Sequence, residues 1–323
     1  MADYSEFHGD LRSVASDLLA KDRAVDWQVI VDAGWVGLEV PEQLGGAGAT
    51  FAETAVLCEE MGRAASANSF LGSAVLAVGT LNMLQPSDTR DRLLTQVAFG
   101  ASRLAVAIES DFVPDAEGAD RILVVTDDGV AVGTPTVTAQ PVLDETRRLA
   151  TVTATDTAEV LRFDGEHATT AVRRLRDRAA VAVACDSLGV SQAMLTATVG
   201  YAKVREQFGR PIGSFQAVKH ACADMLVAIS VSRQLITAAV QAIVDDQPDA
   251  DVAAAMAKSH TCAKAVDIAG KAMQLHGGIG YTWESGIHVY LKRAALNRSL
   301  FGSPAAHRKH LAQRYLSGNQ GVS

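Results

Sequence analysis

Three observations predict an α+β fold that is mainly α. About a hundred N-terminal residues carry apolar positions three and four apart, a middle stretch is short-segmented and rich in Val and Thr, and a long C-terminal stretch returns to helical spacing. The expected order is an N-terminal helical domain over residues 1–101, a small middle β domain over 102–166, and a C-terminal four-helix bundle over 167–323.

In the first region SEFHGDLRSVASDLLA, WQVIVDAGWVG and FAETAVLCEEMGRAA each place an apolar stripe on one helical face, the last one following the glycine loop LGGAGAT. ANSFLGSAVLAVGTLNML continues the pattern to Pro86, and DTRDRLLTQVAF ends at Gly100. The period then changes. RLAVAIE, RILVVTDDGVAVG, TPTVTAQPV and RLATVTATDT read as strands, and ILVVTDDGVAV reads as a hairpin around Asp-Gly. Beyond Thr169 one long helix is expected from near Arg176 to Gln207, a second from Phe215 to about Val244, and a third from the Asp/Pro cluster at 245–251 to Gly277-Gly278. A fourth follows GIGYTWESG.

Composition narrows the function classes. With 48% hydrophobic but only 5% aromatic residues, each Ala-rich helix has little area to bury, so oligomerisation is expected. Cys58, Cys185, Cys222 and Cys262 are far apart with no C-x-x-C, which gives neither a disulfide framework nor a zinc site and fits a reducing cytoplasm. The start, MADYSEFHGDLRS, reads as no export signal. The longest apolar stretch contains Asp186, which disfavours a membrane span. A net charge of -8 argues against nucleic acid as partner. The tail is the exception, because no Asp or Glu occurs after Glu284 while Lys292, Arg293, Arg298, Arg308, Lys309 and Arg314 do. His307 and His310, a turn apart with no acid or Cys in sequence reach, read as a solvated basic face and not a metal site, and His276 reads as packed at a helix end or close to a cofactor.

Two segments stand out, YAKVREQFGRPIGSFQAVKHACADM and QLHGGIGYTWE. The second lacks the preceding strand that a Rossmann fingerprint needs. Together, about seventy residues apart, and with AGWVGLEVPEQLGGAGATFAETAVLCEEMGR and the α, β, α order, they resemble the acyl-CoA dehydrogenase family. The resemblance covers most of the chain and is weakest in the β region. It implies FAD as cofactor, an acyl-CoA substrate, and an acceptor such as electron-transfer flavoprotein. It also implies that Arg205, Gln207, Phe208, Gln274, Gly277 and Gly278 hold the adenosine diphosphate half of FAD, usually across a subunit interface. The physics agrees: Arg205 can pair with a pyrophosphate, and the glycines let backbone approach it without a Cβ.

The family's reaction needs a carboxylate base for the Cα proton. Aligning LKRAALNRSLFGSP with the usual Tyr-Glu-Gly-Thr turn puts Phe301 at the Tyr and Gly302 at the Glu, so the usual base is absent. An alternative family position maps to Ala179, with Asp177 two residues away. Asp186 is a further candidate: Ala182, Val183, Gly189 and Val190 surround it at helical spacing, so a desolvated carboxylate with a raised pKa is expected, with room left by Gly189. The opposing reading is an Asp satisfied by a helix from another subunit or facing solvent. Glu284 matches a structural position of the family. In the β region Glu109-Ser110-Asp111 reads as a remnant of the flavin cradle, and no Trp occurs between Trp35 and Trp283.

These losses suggest that the chain is the shorter subunit of a hetero-oligomer, completing the FAD site of a homologous full-length partner. A homomeric dehydrogenase with a relocated base, an interaction subunit without flavin, and a flavin-dependent oxygenase on the same fold are the alternatives.

Overall fold

The computed structural model describes residues 5–153 and 157–318. The first region holds α1 (Ser5–Leu19), α2 (Trp27–Asp32), α3 (Phe51–Ala64), a π-helical stretch (Leu71–Ala77) leading directly into α4 (Val78–Leu81), and α5 (Asp88–Ala98). Thr50 and Glu53 cap α3 reciprocally, as a Thr followed three residues later by Glu should. A π turn frees carbonyls from the regular ladder, and here side chains take them up. Arg178 Nε donates to Val75 O at 2.9 Å. Ser73 Oγ donates to Leu104 O and accepts from Leu104 N, tying the π stretch to the first strand.

The β region comprises β1 (Leu104–Ala107), β2 (Val113–Pro114), β3 (Arg121–Val125), β4 (Gly129–Gly133), β5 (Thr136–Gln140), β6 (Leu149–Thr153) and β7 (Thr157–Arg162). One sheet runs β1-β3-β4-β7, with β1 parallel to β3 and the other pairs antiparallel; a second runs β2-β6-β5. The expected hairpin is β3–β4, in register from Ile122 opposite Gly133 to Val125 opposite Val130. Its Gly129 opens β4, where a Cβ would meet the Leu161 carbonyl of β7.

Five helices follow, not four. They are α6 (Ala171–Val204), α7 (Gln216–Val244), α8 (Ala250–His276), α9 (Ile287–Ser299) and α10 (Pro304–Gly318). The tail divides because Phe301 and Gly302 both adopt positive φ and Pro304 restarts the helix. Between α6 and α7, β8 (Glu206–Gln207) and β9 (Arg210–Pro211) form a two-residue hairpin. Phe208 and Gly209 are its left-handed turn residues, at φ of 55° and 75°.

Helices α3 and α6 cross at close range. A Cβ on Gly62 would strike the Asp186 carbonyl, and one on Gly189 would strike that of Glu59. The room expected beside Asp186 is therefore filled by the backbone of α3. Both α6 and α7 are long and apolar enough to cross a bilayer, but 78% of the apolar window of α6 is buried within the fold against 28% for α7. The outer face of α7 leaves Leu226, Val227 and Val231 exposed.

Candidate functional site

Asp186 sits at the junction of all three regions. Its Oδ1 accepts from Arg293 Nε at 2.9 Å and Asn297 Nδ2 at 2.6 Å, and its Oδ2 from Arg293 Nη2 at 2.6 Å and Arg147 Nη2 at 3.0 Å. Arg293 also donates to Ser66 O and Thr146 Oγ1. Burial alone would raise the carboxyl's pKa, but the guanidiniums of Arg293 and Arg147 and the hydrogen bonds outweigh it, and the pKa is lowered. This corrects the expectation of a raised pKa. Asp186 is an enclosed anion with both oxygens occupied, and the helix that satisfies it is α9 of its own chain.

That bond network also answers the tail's lack of acids. Arg293 pairs with Asp186, Lys292 with Glu145, and Arg314 and His310 with Asp251. These four tail residues thus find their carboxylates on α6, on α8 and in the segment between β5 and β6. The i, i+4 spacing of Arg293 and Asn297 was the readable sign that they share a face. Arg147 lies in a loop, where no periodicity marks it.

A cavity of about 500 Å³ opens between the first sheet, the N-terminal end of α6, and the α9–α10 turn. Val106, Ile108, Leu296, Leu300 and Phe301 line it with apolar surface. Its polar lining includes Glu109, Asp111, Asp177, His307 and His310, and Gly302 stands in the same wall. The fold therefore brings together Gly302, at the family's usual base position, Asp177, two residues from the alternative one, and the Glu109–Asp111 remnant. His307 is not a solvated residue: it lines the cavity, its Nε2 lies 3.0 Å from Phe301 O, and burial lowers its pKa. Among the described residues nothing hydrogen-bonds to the Asp177 carboxylate. Burial pushes its pKa up to about 6; Arg173 and His310 oppose the rise and Asp251 adds to it.

The predicted cofactor residues gather at the opposite end of α6. Tyr201 stacks on His276 with ring centroids 4.5 Å apart, bringing the β8–β9 hairpin beside the end of α8. His276 is buried, with Nδ1 2.7 Å from Ala272 O. Arg205, Gln207, Gln274, Gly277 and Gly278 are exposed, and Phe208 is 91% exposed with only the edge of Phe215 near its ring. Gly277 has φ of 62° and ψ of -141°, a conformation that favours glycine, whereas Gly278 has no positive φ and open space where a Cβ would stand. Glu284, also exposed, accepts nearby hydrogen bonds that lower its pKa.

Residues 11–101 match the family description "Acyl-CoA dehydrogenase, N-terminal domain" and residues 169–316 match "Acyl-CoA dehydrogenase, C-terminal domain". The chain is 35% identical over 292 residues to the acyl-CoA dehydrogenase IpdE2 of Mycobacterium tuberculosis, covering 88% of this chain and 86% of that protein. The chain belongs to the acyl-CoA dehydrogenase family. Among solved structures, a variant of the Tcur3481-Tcur3483 steroid acyl-CoA dehydrogenase superposes with a TM-score of 0.87 at 25% identity, covering 98% of this chain and 99% of that one. The ChsE4-ChsE5 complex of Mycobacterium tuberculosis does so at 0.84 and 23% identity, covering 98% of both chains. The acyl-CoA dehydrogenase described here is accordingly an oxidoreductase acting on acyl-CoA.

Proposed function

We propose that this chain takes part in FAD-dependent α,β-dehydrogenation of an acyl-CoA thioester as the shorter subunit of a hetero-oligomer. It lends Arg205, Gln207, Phe208, Gln274, Gly277 and Gly278 to a flavin site centred on a homologous partner, and electrons leave to an acceptor such as electron-transfer flavoprotein. One observation carries the reading. Asp177 and Arg205 are separated by most of α6, which at 1.5 Å rise per residue is about 40 Å, so the cavity and the exposed cofactor cluster serve different molecules.

The cluster fits a dinucleotide. Arg205 offers a guanidinium for a pyrophosphate, Phe208 offers a free aromatic face, and the side-chain-free surface at Gly278 meets no need of this chain's own packing. The bound flavin would accept the hydride from Cβ. The exposed apolar face of α7, with Val204, Tyr281 and Trp283, supplies surface for a neighbouring subunit. Two relatives, the Tcur3481-Tcur3483 enzyme and ChsE4-ChsE5, carry two-protein names that accord with a partner.

Co-expression with the product of an adjacent reading frame tests this, read as flavin per chain in the purified complex. Arg205→Ala and Gln274→Ala in this chain are expected to strip FAD from the complex while leaving both chains folded. A homotetramer of this chain alone, with stoichiometric FAD reduced by an acyl-CoA, overturns the partner reading.

A further inference from the structure

The ion cluster at the junction of the three regions is unbalanced. Asp115, which follows β2, Asp144, in the segment between β5 and β6, and Asp186 of α6 are all buried, and the same two buried guanidiniums, Arg147 and Arg293, act on all three. Three carboxylates against two cations leave one negative charge without a counter-charge. Arg293 is fully committed, with Nε and Nη2 on Asp186 and Nη1 on Ser66 O and Thr146 Oγ1. Arg147 is not. It reaches Asp186 through Nη2 at 3.0 Å, while its Nε is buried and has no partner among the described residues.

The acceptors around Arg147 show the same slack. Asp144 Oδ1 takes both Thr146 N and Thr146 Oγ1, but Asp144 Oδ2 is buried and unpartnered. Asp115 Oδ2 accepts from Gly72 N of the π-helical stretch at 2.8 Å. Buried polar atoms are nearly always partnered, so an idle donor beside an idle acceptor points to a second arrangement of the same groups. Arg147 has two ways to be satisfied. On Asp186 it ties the β region to α6. On Asp144 and Asp115 it stays inside the β region, because all three residues lie in the chain between β2 and β6.

The odd charge decides between them. Burial pushes the pKa of Asp115 up to about 6, against the opposing pull of Arg147, the Gly72 N–H, Arg293 and the exposed Arg148, so a proton is its readiest counter-charge. Asp186 is held low despite its burial by Arg293 and Arg147, and burial pushes the Cys58 thiol of α3 up to about 12, so neither titrates near 6. We infer that Arg147 is the moving part of a proton-operated latch between the β region and the helical body, bound to Asp186 when Asp115 is protonated and drawn to Asp115 and Asp144 when that proton leaves. The latch bears on the cavity. Val113 and Pro114, immediately before Asp115, form one part of its wall, and Arg173, Arg176 and Asp177 of α6 form another. With Arg147 released, Thr146 on Arg293 remains as the pivot between them. The inference depends neither on the partner reading nor on what the cavity holds.

The test measures the separation of two spin labels in the full chain, or in its complex, diluted with unlabelled protein. One label sits at Leu143→Cys in the segment between β5 and β6 and the other at Asp17→Cys on α1, both exposed, in a Cys222→Ser background because the other three cysteines are buried. Wild type is expected to show two separations whose ratio changes about tenfold between pH 5 and 8, with a midpoint near 6. Asp115→Asn should keep the pH 5 separation at every pH. Asp144→Asn, which removes the charge of the alternative acceptor, should lower the share of the second separation at pH 8. Arg147→Met should remove the pH dependence altogether. A residue that merely filled space would change the thermal midpoint and leave the separations fixed. A single separation in wild type at all pH values, as expected if internal waters satisfy the idle atoms, overturns the inference, and so does a folded Asp115→Asn that titrates as wild type does. Should Asp115→Asn fail to fold, the wild-type titration and Asp144→Asn decide alone.

Discussion

A Cβ on Gly302 would stand 2.7 Å from Nε2 of His307, so the imidazole occupies the space into which any side chain at position 302 would project. The backbone reinforces this, since Gly302 has φ of +95°, where residues with a Cβ are strained. Restoring the carboxylate at the family's usual position by Gly302→Glu is therefore expected to fail. It should cost about 1–3 kcal/mol of stability and bring no gain in acyl-CoA-dependent flavin reduction by the complex. Adding His307→Ala should recover only the steric part. A stable Gly302→Glu protein with raised activity would mean that the turn rearranges freely.

The clamp at Asp186 leads to a different expectation. Asp186→Asn leaves the guanidiniums of Arg293 and Arg147 buried without the carboxylate that hydrogen-bonds to both. Losing one member of a buried pair costs about 3–5 kcal/mol, to be read as a lower urea midpoint with unchanged slope. Removing the ions together, as in Asp186→Leu with Arg293→Met and Arg147→Met, should be far milder. Equal damage from the single and triple variants would show that packing, not charge, is what the clamp supplies.

The contrast between these two sites explains what was legible in the sequence. Helix periods, the Asp-Gly hairpin and the Arg205 and Gln274 segments are local signals, and the elements that carry them form where they were expected. The division of the tail into α9 and α10 was missed because Gly302 was read for the side chain it lacks and not for the backbone it permits. Asp186 was misjudged for a related reason. Helical spacing identifies a residue's own-helix neighbours, all apolar, but its partners come from α9 and from a loop about forty residues upstream. Asp177 was named only as lying two residues from the aligned position, because alignment fixes a place on a helix and does not show which carboxylates line a cavity.

Gly270 yields a prediction about assembly. It lies mid-way through α8, one turn before Gln274, is exposed, and has nothing within 4 Å of where a Cβ would be. Nothing inside the chain requires glycine there, and an exposed helical glycine costs about 1 kcal/mol relative to alanine. Gly270→Ala should raise the stability of the isolated chain by about 0.5–1 kcal/mol and, if a neighbouring backbone crosses this face, weaken subunit association and FAD retention. Analytical ultracentrifugation beside thermal unfolding separates the two effects. A variant that is more stable and assembles normally would remove this face from the interface.

Asp177 fixes the pH dependence of stability around its cavity. Its pKa is raised from 3.8 to about 6 in the folded chain, so the native state holds that proton more tightly than the unfolded one. For a raised acid the favourable contribution is complete below the unfolded value and is lost as pH rises through about 6; at neutral pH the ionised group is a liability. Asp186 has the opposite sign: its lowered pKa contributes stability above the ordinary carboxylate range, lost only as pH falls through the folded value. Between about pH 4 and 6 the two are distinguishable, because Asp177→Asn should flatten a decline in stability with rising pH that the Asp186 clamp cannot produce. At pH 7 Asp177→Asn is expected to stabilise the protein by about 1–2 kcal/mol, a figure reduced for the partial contact of the carboxylate with solvent. Thermal midpoints of the two proteins from pH 4 to 8 decide the matter. If the two curves run parallel throughout, the Asp177 carboxyl titrates as an ordinary surface acid and its enclosure by the cavity has no energetic consequence.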